Sequence, residues 1–137
     1  LSKNPEWKSD KQYFKELARE ANLDWGAAWE EDSWGTVEKN IQELNRFSVE
    51  NGVKFLVICL PVSFQVYADF LDDAPQRRIK AIAQGKNIPL LDLLPKLRQN
   101  NKLNLFYDHC HLNADGQNIV ARELYQFLIT NKLLKNG

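Results

Sequence analysis

Apolar residues recur at helical spacing in four stretches of the chain. Phe14, Leu17, Ala18 and Ala21 share one face behind Ser9-Asp10-Lys11-Gln12, which reads as a capping box. Val37, Ile41, Leu44 and Phe47 form a second stripe, and Asn51-Gly52 after it predicts a left-handed C-cap. A third helix is predicted from Asp73-Ala74-Pro75-Gln76, with Ile79, Ile82 and Ala83 on its inner face and Gly85 as its end. The last follows Asn113 and sets Ile119, Val120, Leu124, Phe127 and Leu128 against Arg122, Glu123 and Gln126. Two runs lack this period. Val53 to Leu60 is almost continuously apolar and ends at Pro61, which predicts a strand buried on both faces. Ile88 to Leu93 predicts a second strand, with Pro89 tolerated near its start. Strand, helix and strand in that order make a βαβ unit with a parallel sheet and a right-handed crossover. The fold class is α/β. Two strands cannot cover both faces and both edges of a sheet. The expectation is therefore a single incomplete domain over residues 1–137, the C-terminal part of a doubly wound, three-layer α/β/α architecture.

Composition narrows the function classes. The 137 residues carry 18 Lys+Arg against 18 Asp+Glu, and this zero formal charge argues against nucleic-acid binding, which relies on clustered cations. A content of 44% hydrophobic and 26% charged residues suits a compact core and not a disordered chain. The longest apolar run, Phe55 to Pro61, is far below the ~20 residues of a bilayer span. Cys59 and Cys110 form no CxxC, so spacing gives neither a disulfide framework nor a zinc site. Free thiols point to a reducing compartment such as the cytoplasm. The chain opens on Leu1 and contains no Met, from which the natural polypeptide is expected to begin earlier. A processed, Met-free mature protein is the alternative.

The densest chemistry lies in Tyr107-Asp108-His109-Cys110-His111-Leu112-Asn113-Ala114-Asp115-Gly116, between the second strand and the last helix. In α/β folds functional groups gather beyond the carboxyl ends of strands. Asp108 and His111 are close enough for a carboxylate to meet an imidazole N–H, which fixes the ring's tautomer and stabilises its protonated form. Asn113 is placed to cap the helix, and Gly116 to let its first turn pack closely. A loop ion pair that only caps a helix is the plainer reading of the same residues. His109-x-His111 with Cys110 and Asp108 also raises a metal, but the pattern does not supply a zinc ligand set, and no metal or other cofactor is expected. Cys110 as a nucleophile lacks identifiable oxyanion donors and a separate base. Trp25, Trp29 and Trp34 read either as a stacking wall for a sugar or acyl group or, preferably, as packing, with Trp25 and Trp29 one turn apart. Glu30, Glu31 and Asp32 read as a solvated face or as favourable charges near the second helix's N-terminus, and Arg77, Arg78 and Lys80 as solvated surface.

The words Asp-x-x-His-Leu-Asn-x-x-Gly, followed by an amphipathic helix, resemble the last block of the SGNH (GDSL-type) hydrolases. The order around them is similar too: Val57-Ile58-Cys59-Leu60-Pro61, a helix, then Ile88-Pro89-Leu90-Leu91-Asp92-Leu93-Leu94, together spanning roughly residues 36 to 131. The resemblance implies a flavodoxin-like sheet and a Ser-His-Asp triad whose Asp and His are Asp108 and His111. The family's Gly-Asp-Ser and Gly-x-Asn-Asp blocks are absent, and Ser2, Ser9, Ser33, Ser48 and Ser63 lie in other contexts. Ser63, just after the first strand, is the nearest substitute for the nucleophile. The implied function is esterase or lipase-like hydrolysis by the parent protein, acting on a small-molecule ester or an acylated carbohydrate. Acyl transfer to a carbohydrate by the same triad, or a noncatalytic interaction domain, are the alternatives. The expected partner of the unfinished sheet is a second copy or the missing N-terminal segment of the same polypeptide.

Overall fold

A computed structural model describes residues 5–134. After a 3-10 turn at Pro5–Lys8 come α1 (Lys11–Glu20), further 3-10 turns at Trp25–Trp29 and Glu31–Ser33, and α2 (Trp34–Glu50). β1 (Val57–Cys59), α3 (Ser63–Tyr67), α4 (Ala74–Gly85) and β2 (Leu90–Asp92) make the central unit. α5 (Leu94–Gln99) and α6 (Ala114–Thr130) complete it. The chain is mixed α/β, with β1 and β2 pairing in parallel: Val57 opposite Leu90, Ile58 opposite Leu91 and Cys59 opposite Asp92. No helix among the described residues is long and apolar enough to cross a membrane.

Caps decide where the helices begin and end. Asp10, not Ser9, is the N-cap of α1: its carboxylate accepts from Gln12 N at 2.8 Å and Tyr13 N at 3.1 Å. Asp73 flanks α4 without capping it through its side chain and instead meets Arg77 one turn on. α2 ends as expected, with Gly52 at φ 65° and the bonds Val53 N to Ser48 O and Gly52 N to Val49 O. α4 ends at Gly85, as expected. The left-handed position falls two residues later, on Asn87 at φ 54°, while Ile88 N bonds Ala83 O. Asn is the non-glycine residue that tolerates this conformation best.

Both strands are shorter than the apolar runs that predict them, and the expected burial on two faces is not met. Of the six strand residues only Leu91 is buried. Ile58 is 39% exposed, and Val53 and Leu60 are also on the surface. The cause is the strand number: with two strands each one is an edge, and the helices reach only part of each face. Val57 N bonds Pro89 O and Cys59 O accepts from Leu93 N. Alternation along a parallel ladder then turns the N–H and C=O of Ile58 away from β2, where no described strand pairs with them. α2 shows the same incompleteness. Ile41 is half-buried, but Leu44 and Phe47 are 54% and 62% exposed.

The interior divides in two. One cluster joins Leu91, Leu93, Leu94 and Leu97 to Leu105, Phe106 and Ile119, and so ties β2 and α5 to α6. The other is aromatic. Trp7, Phe14 and Phe64 are buried with Trp25, Trp29 and Phe70 packed around them. Gln65 and Gln76, both buried, bond amide to amide at 2.8 and 3.2 Å, and Gln65 Nε2 also donates to Asp72 O. Trp29 Nε1 donates to Asp72 Oδ1 at 3.0 Å, so the indole is satisfied inside the fold.

Candidate functional site

The Asp-His segment is a hairpin tip. Phe106 and Leu112 form an antiparallel bridge at its base, and Tyr107 N bonds His111 O at 2.8 Å. Below the bridge, Tyr67 Oη accepts from Leu105 N and donates to Leu103 O. Asn113 does what its position predicts. Its Oδ1 accepts from Gly116 N at 3.1 Å to cap α6, while its Nδ2 donates to Asn104 O. Gly116 has no room for a side chain, since a Cβ there would lie 2.5 Å from Leu105 O.

Within the tip, Asp108 uses both carboxylate oxygens. Oδ1 accepts from Cys110 N at 2.9 Å and His111 N at 2.7 Å, which fixes the turn. Oδ2 lies 2.7 Å from His111 Nδ1. The His111 backbone N–H, then the Cys110 N–H and the imidazole hold the Asp108 carboxyl well below the usual carboxylate range. An ionised Asp108 at Nδ1 selects the tautomer with its hydrogen on Nδ1 and a lone pair on Nε2. The His111 side chain is 75% exposed, and no described group is bonded to Nε2. The pair can therefore take a proton from outside and hold the resulting charge. Cys110 is a poorer nucleophile than its exposure suggests. Desolvation of the sulfur and then the Asp108 charge push its thiol up, away from the reactive thiolate.

Long-range contacts tie this tip to the rest of the fold. Ser63 N donates to His109 O at 2.7 Å, which sets the hairpin beyond the carboxyl end of β1. His109 turns away from His111, with its Nε2 3.1 Å from Asp24 Oδ2. The structure thus separates the two histidines that the sequence sets two apart. Ser63 Oγ is fully buried and has no hydrogen-bond partner, so it is not presented to His111 as a nucleophile. The Ser63 N–H, which holds the hairpin by its backbone, and Asp24, which takes up the His109 ring, are contacts that sequence reasoning missed. Neither carries a local signal, because each acts across more than forty residues.

Trp25 stacks on Phe64 at 5.0 Å and meets Trp29 edge to face at 5.5 Å, as expected of packing residues. Parts of the same rings, with Trp34, Leu60 and Ile79, also line an apolar cleft of about 290 Å³ beside β1. Arg77 and Arg78 are exposed and paired with Asp73 and Glu31, in keeping with a surface role. Comparison with protein-family models, curated proteins and solved structures returned no match to this chain.

Proposed function

We propose that Asp108 and His111 are the acid–base half of a serine-dependent ester hydrolase of SGNH type. The observation that carries this reading is the 2.7 Å contact between Asp108 Oδ2 and His111 Nδ1, with Nε2 open to solvent. His111 Nε2 takes the hydroxyl proton of a serine as its oxygen attacks the acyl carbon. The imidazolium, steadied by Asp108, then gives that proton to the departing alkoxide. Water repeats the cycle on the acyl-enzyme and frees the acid. The serine and the oxyanion donors come from a segment outside these residues, since no Gly-Asp-Ser is present and Ser63 Oγ is buried. In this reading β1 and β2 belong to a larger flavodoxin-like, three-layer sheet. The outward Ile58 backbone and the exposed Leu44 and Phe47 support it, because further strands and helices would cover them.

The test is hydrolysis of p-nitrophenyl acetate by the natural-length polypeptide. His111→Ala is expected to lower kcat by about 10⁴-fold or more with folding intact, whereas His109→Ala stays near wild type. An essential His109 with a dispensable His111 would overturn the assignment. In parallel, a fluorophosphonate probe on the 137-residue chain should label no serine. Stoichiometric labelling at Ser63 would instead make that residue the nucleophile.

A further inference from the structure

The hairpin tip gathers three kinds of donor atom on one side. Cys110 Sγ lies 3.5 Å from His111 Nδ1, and Asp108 Oδ2 lies 2.7 Å from the same nitrogen. A carboxylate oxygen of Asp108, Cys110 Sγ and a ring nitrogen of His111 fall within 4.8 Å of one another. Two donors on one tetrahedral zinc sit about 3.3–3.5 Å apart, given Zn–N of ~2.0 Å and Zn–S of ~2.3 Å. The sulfur–nitrogen separation already has that value. The oxygen–nitrogen pair, at 2.7 Å, has to open by about half an ångström to reach it. Asp108 can spare Oδ2, because Oδ1 alone holds the two backbone N–H groups of the turn. Thiol, imidazole and carboxylate together suit zinc or cadmium better than magnesium or calcium, which favour oxygen ligands. His109, the second histidine of the His-x-His pattern, is engaged with Asp24 and takes no part.

We propose that Asp108, Cys110 and His111 form a binding site for one thiophilic divalent cation of the zinc class, and that its occupancy silences His111. On binding, the Cys110 thiol proton leaves to solvent and sulfur donates its freed pair to the cation. Nδ1 does the same, and the ring's proton passes through solvent to Nε2. An Nε2–H donates and has no pair with which to accept a serine proton. Bound cation therefore switches off the base without any change of fold. The binding stands on the loop geometry; only its consequence rests on the esterase reading.

Cadmium titration of the 137-residue chain reads thiolate coordination as an ultraviolet sulfur-to-metal charge-transfer band, and calorimetry with zinc reads stoichiometry and Kd. One cation per chain is expected, with the band present. Cys110→Ser should abolish the band, and His111→Ala should weaken zinc by at least about tenfold. Cys59→Ser and His109→Ala should leave both readouts unchanged. The proposal is overturned by a wild-type chain that gives no band, by a band that survives Cys110→Ser, or by zinc affinity indifferent to His111→Ala. These readouts are coordination and heat, so they hold or fail independently of any turnover.

Discussion

Asp108 divides its work between two oxygens, one holding the turn and the other holding the ring. Asp108→Asn separates these roles. The amide oxygen still accepts from the turn, while the amide NH₂ faces Nδ1 as a donor and forces hydrogen onto Nε2. The thermal midpoint should barely move, ¹⁵N NMR of the chain should show the Nε2–H tautomer, and kcat of the natural-length protein should fall about 10⁴-fold. A second prediction concerns Cys59, whose thiol is pushed up to about 11 by burial and by the facing Asp92 carboxylate. Below its ordinary value of 9.0 the thiol is protonated whether the chain is folded or not, so its contribution is constant. Above that value the unfolded thiol ionises first, and stability falls with rising pH until the folded value is passed. Urea midpoints at about pH 8 and about pH 10.5 should differ more in wild type than in Cys59→Ala. At this scale the sequence exposes what is local. Asp108, His111, Asn113 and Gly116 lie within nine positions, and turn chemistry alone brings them together. Asp24 and the Ser63 N–H are illegible because a surface acid and a backbone amide look the same wherever the chain later carries them.

α6 shows how an element positions a site without touching it. Its first turn presses on the Leu105 carbonyl at Gly116, and its cap fastens the hairpin through Asn104. Gly116→Ala should cost about 1–3 kcal/mol through that overlap, seen as a lower denaturation midpoint. It should also speed amide exchange at residues 105–113. Helix existence was readable from periodicity, but cap residues turned on single positions with similar credentials: Asp10 over Ser9 at one start, and Asn87 as the left-handed residue beyond Gly85 at one end. Short α3 and α5 escaped because five or six residues give no periodic signal. The strands were overlong for a different reason. An apolar run reports what the sheet needs covered, whereas pairing extends only as far as a partner strand does.

The whole molecule leaves apolar and backbone groups without a described partner along β1 and α2. Such an edge templates pairing with another chain. Alone in solution, the chain should associate at micromolar concentration, and Ile58→Lys should return it to a 15.9 kDa monomer in sedimentation velocity. A monomeric wild type would mean that the helices close the core unaided. That result would favour a self-sufficient binding module over half of a catalytic domain.

Trp25 and Trp29, crossed at 88° with centroids 5.5 Å apart, form a fixed pair of chromophores. At that spacing their ultraviolet transitions do not absorb independently but mix into two states of opposite rotational strength. The far-ultraviolet circular dichroism of the chain is therefore expected to carry an indole couplet on top of the helical bands. Helix content taken from raw ellipticity would be biased by it. On heating, the couplet would vanish when the N-terminal rings part, and would report that event separately from the melting of α2 or α6.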